Sequence, residues 1–142
     1  MKIIDIYNKY KKEYNEYVII IESGVFYYVL NDDCGVINKL LDYKIKYLCG
    51  NFSIGFPINS INKVTEKLNT KEINYLVLKK SSDGYIIDEK NKENNNNYGN
   101  YLIDLSRLNY LNDRINRIYN KLLDRINDND IEEKLLQMEK LL

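Results

Sequence analysis

The stretch that decides the fold is YVIIIESGVFYYVL, residues 17–30. It holds two apolar runs, 18–21 and 25–30, parted by Glu22, Ser23 and Gly24. β-Branched and aromatic residues dominate both runs and a turn bounds them, so they read as buried strands rather than strands with one wet face. Gly24 lets the backbone turn sharply there or approach a ligand closely.

Upstream, Ile3, Tyr7, Tyr10 and Tyr14 recur at helical spacing and predict a helix over 3–14. Downstream, Asn31 or Asp32 offers an N-cap for a helix whose apolar face is Val36, Ile37, Leu40 and Leu41. Short strands are expected at 44–49 and 52–54, around the turn signal Gly50-Asn51. Gly55-Phe56-Pro57 carries the only proline and reads as a turn opening a helix with Ile58, Ile61, Val64 and Leu68 on one side. Ser81-Ser82-Asp83-Gly84 reads as a hairpin turn between strands at 75–80 and 85–88.

This alternation predicts an α/β domain over 1–88, a mixed β-sheet flanked by helices. Residues 89–103, with four consecutive asparagines, read as a polar linker. Residues 104–142 read as a C-terminal helical hairpin. Its first helix is capped by Asp104 and carries an apolar stripe of Leu108, Leu111, Ile115, Ile118, Leu122 and Ile126. Asn127-Asp128-Asn129-Asp130 breaks that helix. Asp130 with Glu133 resembles a capping box for a last helix bearing Ile131, Leu135, Met138 and Leu142. Every arginine, namely Arg107, Arg114, Arg117 and Arg125, lies in this part. With Lys121 they fall within one arc of about 80° at 100° per residue. Such a stripe is either the solvated flank of a packed hairpin or a surface that follows a phosphate backbone.

Composition bounds the function classes. A chain of 142 residues with 44% apolar and 30% charged residues is globular and buries a core without staples. Zero net charge argues against a strong nonspecific grip on nucleic acid. There is neither a signal-peptide pattern nor a membrane-length apolar run, so a cytoplasmic protein is expected. Two cysteines, Cys34 and Cys49, without any histidine form no metal-ligand cluster and read as small core residues; no metal and no cofactor are expected. Without histidine, a phosphate loop or a nucleophile in a recognisable setting, no enzymatic activity is expected. Asp32-Asp33 and Asp88-Glu89 read as a helix start and a hairpin end rather than as Mg²⁺ ligands.

The Gly24-Val25-Phe26-Tyr27-Tyr28 segment resembles the Gly-Asp-Phe-Tyr-Glu signature of the N-terminal mismatch-recognition domain of the MutS DNA mismatch-repair family. Asp33 falls on that family's acidic position and Leu40-Leu41 on its Leu-Leu pair, without a gap. Lys11 to Tyr14 resembles the Lys-x-x-Tyr segment before the family's first strand, and Gly55, Pro57, Lys67 and Leu68 match its second motif. The resemblance spans residues 7–80 and omits the family's ATPase. It implies that Phe26 is a wedge stacking on a mispaired base. Tyr28 stands where the family has a base-contacting glutamate, and its hydroxyl can still donate or accept a hydrogen bond. Val25 replaces the family's aspartate, and Glu22 replaces a basic residue.

Two functions are thus expected as alternatives. One is a stand-alone DNA-binding module that engages mispaired, bulged or distorted double-stranded DNA through Gly24, Phe26 and Tyr28, assisted by Arg107, Arg114 and Arg117, with a repair-protein partner or a dimer. The other is a protein-interaction module on the same fold that has lost mismatch reading and docks a partner or dimerises through its C-terminal helices. Exposure of Phe26 separates them, since a phenylalanine between apolar strands is ordinarily core.

Overall fold

The first apolar run forms β1 (Val18–Ser23), which lies between two neighbours inside a sheet. The structure, a computed structural model, describes residues 2–91 and 94–142. Among the described residues, the remaining elements in chain order are α1 (Ile3–Glu13) ahead of β1, then β2 (Phe26–Leu30), α2 (Asp32–Leu41), β3 (Lys46–Leu48), β4 (Asn51–Pro57), α3 (Ile61–Thr70), β5 (Tyr75–Ser81), β6 (Gly84–Lys90), α4 (Leu105–Asp124) and α5 (Ile131–Leu141). Short 3-10 helices span Ile58–Ser60 and Asn97–Tyr101. The sheet runs β3-β4-β2-β1-β5-β6. β1 and β5 are parallel and the other pairs antiparallel, so the sheet is mixed, with helices flanking it.

Strand alternation sorts the core into two layers. On one face α1 lays Ile6 and Tyr7 against Ile19, Ile21, Leu30, Leu76 and Leu78. Each such aliphatic side chain removed from water contributes roughly 1.5–3 kcal/mol. On the other face α2 packs on β2, β4 and β1, with Val36 and Ile37 fully buried. Tyr27, Val29, Ile54 and Phe56 are buried on the strands, and the Tyr27 and Phe56 rings stand 5.9 Å apart.

The two ends of the sheet are closed by tight turns. Ser23 pairs with Phe26, leaving Gly24-Val25 as a two-residue hairpin loop. Gly24 takes φ +62° and Val25 a negative φ, the pattern of a type II′ turn. Leu48 pairs with Asn51, and here Cys49 and Gly50 both have positive φ, as a type I′ turn requires.

Several sequence expectations are corrected. Val25 lies in the turn rather than opening the strand, and Cys49 is exposed at its hairpin tip, whereas Cys34 is buried as expected. Gly55 to Pro57 are the end of β4, drawn there by pairing with Phe26, Tyr27 and Tyr28, and the helix begins only after them. Proline is tolerated at that point because it ends the strand.

The Asn-rich segment, expected as a linker over 89–103, is instead fastened to the α/β unit; its positions 92 and 93 lie outside the described residues. Asn91 accepts the Tyr75 N–H (3.0 Å) and donates to the Ile73 carbonyl (2.8 Å). Asn96 accepts the Asn74 N–H (3.0 Å) and donates to the Glu16 carbonyl (3.0 Å). These amides satisfy backbone groups at the strand ends, which would otherwise need water. Tyr98 is buried, and a Cβ on Gly35 of α2 would stand 2.5 Å from the Tyr101 carbonyl oxygen. One compact unit accordingly ends at Ile103, and Asp104–Leu142 forms the second.

In that second unit Asp104 caps α4 as expected, accepting the Arg107 N–H at 3.1 Å. Asp130 makes no side-chain cap to α5 and pairs with Lys134 at 2.9 Å. The turns at 125–130 join α4 to α5; among the described residues neither helix has a fully buried side chain, and Leu108, Leu111, Leu122 and Ile131 are half-buried.

Candidate nucleic-acid interface

The register of β2 decides which aromatic rings reach solvent. Tyr27 and Val29 face α2, so Phe26, Tyr28 and Leu30 face the α1 side. α1 covers Leu30 but not the hairpin end, where Phe26 is 39% exposed and Tyr28 half-buried. The Phe26 and Tyr28 rings form a tilted pair with centroids 6.2 Å apart. At the tip beside them Val25 is 71% exposed, while its carbonyl accepts the Ile58 N–H at 3.1 Å. The two aromatic rings therefore stand at the start of β2, beside a turn that is anchored to Ile58.

Gly55 forms the floor beneath the pair. It lies opposite Tyr28 across the β2–β4 ladder, and a Cβ there would meet the Tyr28 ring at 2.7 Å. An aromatic side chain laid over a cross-strand glycine shields the bare backbone and holds the ring flat on the sheet.

Beside Tyr28 a groove of about 520 Å³ runs between the start of α1 and the β3–β4 hairpin. Lys2, Ile4, Tyr28, Leu30, Leu48 and Ser53 are among its walls. By its pairing with Ser53, Lys46 falls on the same face. Glu22, by contrast, pairs with Tyr27 and so projects to the opposite face, where its carboxylate accepts the Lys80 N–H at 3.4 Å. The carboxylate of Glu22 is thus turned away from Phe26.

The scaffold behind β2 is keyed by one buried carboxylate. Asp33, in the first turn of α2, is fully buried. Its Oδ2 accepts the Ile19 N–H at 2.9 Å, outside the β1–β2 ladder, and its Oδ1 accepts from Lys11 Nζ (2.7 Å) and the Tyr98 hydroxyl (2.6 Å). Lys11 also donates to the Tyr17 carbonyl. Four segments, α1, β1, α2 and the Asn-rich strap, meet at this point. Burial pushes the Asp33 carboxyl up, against Lys11 and the hydrogen bonds that hold it down. Burial also pushes the Tyr7 and Tyr98 phenols up, reinforced by the Asp33 charge, and the Tyr7 hydroxyl has no partner among the described residues.

The structure brings Gly24, Phe26 and Tyr28 together in one hairpin, as the sequence proposes. Arg107, Arg114 and Arg117 belong to the other unit and are exposed on α4. The guanidinium groups of Arg107 and Arg114 stand 5.7 and 5.8 Å from the Tyr110 ring. Asp33 is occupied by Lys11, and among the described residues no group of His, Cys, Asp or Glu could hold a metal ion. No helix of the described residues is long and apolar enough to cross a membrane. Sequence reading missed the groove and Gly55 as the floor of the aromatic pair; the i, i+2 spacing of Phe26 and Tyr28 was the signal for a shared face.

The chain matches no protein-family model and no curated protein.

Proposed function

We propose that the α/β unit is a DNA-binding module, resembling the MutS mismatch-recognition domain, that engages mispaired or distorted duplex through Phe26 with Tyr28 beside it. The observation that carries this reading is the exposed Phe26 ring, paired with Tyr28 at 6.2 Å at the hairpin end of β2. A mispaired or unpaired base is poorly stacked, so inserting an apolar ring beside it costs less than in sound duplex. Selectivity comes from that difference. Tyr28 supplies a hydroxyl where the related signature has a carboxylate, which keeps base-edge contact without placing a negative charge against DNA. Lys2 and Lys46 contribute cations on the same side, and Arg107, Arg114 and Arg117 a further basic row.

Fluorescence anisotropy at low salt tests this with three labelled duplexes: fully paired, G·T mismatched and single-base bulged. The proposal expects tighter binding to the bulge or the mismatch and its loss in Phe26→Ala. Equal binding of all three, unaffected by the substitution, contradicts it.

A second reading is favoured by a separate observation. Among the described residues the C-terminal helices have no fully buried side chain and leave Ile115, Ile118, Tyr119, Leu136 and Met138 exposed. Contiguous apolar faces of this kind mark protein contacts, so these helices are proposed as an interaction module, which does not exclude DNA binding by the sheet.

A further inference from the structure

The pattern of charge on the C-terminal helices identifies what covers them, an inference that rests on the second reading above. On α4, Leu108, Leu111, Ile115, Ile118 and Leu122 occupy alternating a and d positions of a heptad. The flanking g positions are then Arg107, Arg114 and Lys121, all basic, and the e positions Asn112, Tyr119 and Ile126 are uncharged. On α5, Ile131, Leu135 and Met138 fall at d, a and d, with Glu132 and Glu139 at e and Lys134 at g.

In a parallel pair of helices, g of one faces e of the next heptad of the other; in an antiparallel pair, g faces g and e faces e. Antiparallel packing of α4 on α5 therefore brings the basic row toward Lys134 and leaves both glutamates without partners. Antiparallel packing of α4 on another α4 sets basic row against basic row. Parallel packing of α4 on α5 pairs Arg107 with Glu132 and Arg114 with Glu139. That same register sets Ile131, Leu135 and Met138 opposite Leu111, Ile115 and Ile118, so charge and apolar matching agree.

One chain does not make this parallel pair with itself. The connector 125–130 is folded into successive turns, with Asp128 N–H donating to the Arg125 carbonyl (2.9 Å) and Ile131 N–H to that of Asp128 (3.3 Å). Returning to the level of Leu111 means travelling back about 20 Å at 1.5 Å per residue, which only a nearly straight connector spans. We infer that α4 of one chain packs in parallel on α5 of a second copy, and reciprocally, giving a two-fold dimer with two identical seams. Such an interface is self-complementary: what α4 offers, the partner's α5 receives.

Two charge-reversed full-length chains test this, one carrying Arg107→Glu with Arg114→Glu and the other Glu132→Lys with Glu139→Lys. All four are exposed helix positions with good helix formers on both sides of the change. Light scattering after gel filtration should find the unmodified chain dimeric, each variant alone shifted to monomer, and an equimolar mixture restored to dimer, because both seams of the mixed pair regain opposite charges. A monomeric unmodified chain at all concentrations overturns the proposal. A dimer lost in Ile115→Asp but indifferent to the charge reversals overturns this pairing and keeps the helices as the interface. A dimer that survives Ile115→Asp overturns the interaction reading of these helices as well.

Discussion

The Tyr28 ring lies over Gly55 across the β2–β4 pair, so close that a single added carbon on Gly55 would collide with it. The glycine thereby sets the height of the aromatic pair above the sheet. Gly55→Ala relieves a strand of glycine's backbone entropy, a gain of about 0.5–1 kcal/mol, while displacing the ring. The expected outcome is a chain whose urea midpoint stays near that of the unmodified protein, with mismatch discrimination measured by anisotropy reduced severalfold. Unchanged discrimination would detach Tyr28 from the site.

Asp33 and Lys11 form a buried pair, and removing one partner of such a pair costs about 3–5 kcal/mol because the other charge is left uncompensated. Lys11→Met should lower the urea midpoint accordingly. Tyr7→Phe, which deletes a buried hydroxyl with no partner among the described residues, should leave stability unchanged or raise it slightly. Equal losses in the two variants would contradict the network described.

Alkaline pH should unfold the α/β unit. Burial raises the phenols of Tyr7 and Tyr98 and the thiol of Cys34, and carries the Tyr75 phenol up to about 12. A group whose folded pKa is raised stabilises below its unfolded pKa, and that contribution is lost as pH climbs toward the folded value. Stability should therefore begin to fall above about pH 9, where an unfolded thiol ionises, and more steeply above about pH 10, where unfolded phenols do. Circular dichroism across this range checks it; a flat stability from pH 8 to 12 is the contrary result.

Gly35 gives the Asn-rich strap room to lie on α2. Gly35→Val should push Tyr101 and Ile103 away and release the strap, read as new protease cleavage between residues 94 and 103 while the sheet stays protected. Cleavage unchanged from the unmodified chain would mean that the strap is not held there.

Much of this fold was legible because its strands are short apolar runs punctuated by turn residues. The run at 18–21, the second run apart from Val25, the Asp104 cap and the Ser82-Asp83 hairpin loop appear where the residues place them. The Asn-rich segment was not legible, because composition reports polarity and not the strand-end backbone groups that asparagine amides satisfy from 15 or more residues away. Gly55-Phe56-Pro57 carried turn signals, yet pairing with β2 outweighed them. At the site, Phe26 and Tyr28 could be named from the sequence, but an aromatic run of three leaves open which rings face inward. Register alone settles that, and it is set by partners outside the run. The role of Asp33 was half visible as a helix start, while its pairing with Lys11, 22 residues earlier, was not.

The central claim is that Phe26 meets the mispaired base directly, and the most direct measurement is photocrosslinking to a duplex carrying one unpaired 5-iodouracil, with adducts mapped by mass spectrometry. This base reports the aromatic side chain stacked on it. The account predicts adducts at Phe26, with Tyr28 second, and none from a fully paired duplex. Adducts confined to α4, or spread equally over both duplexes, would contradict it.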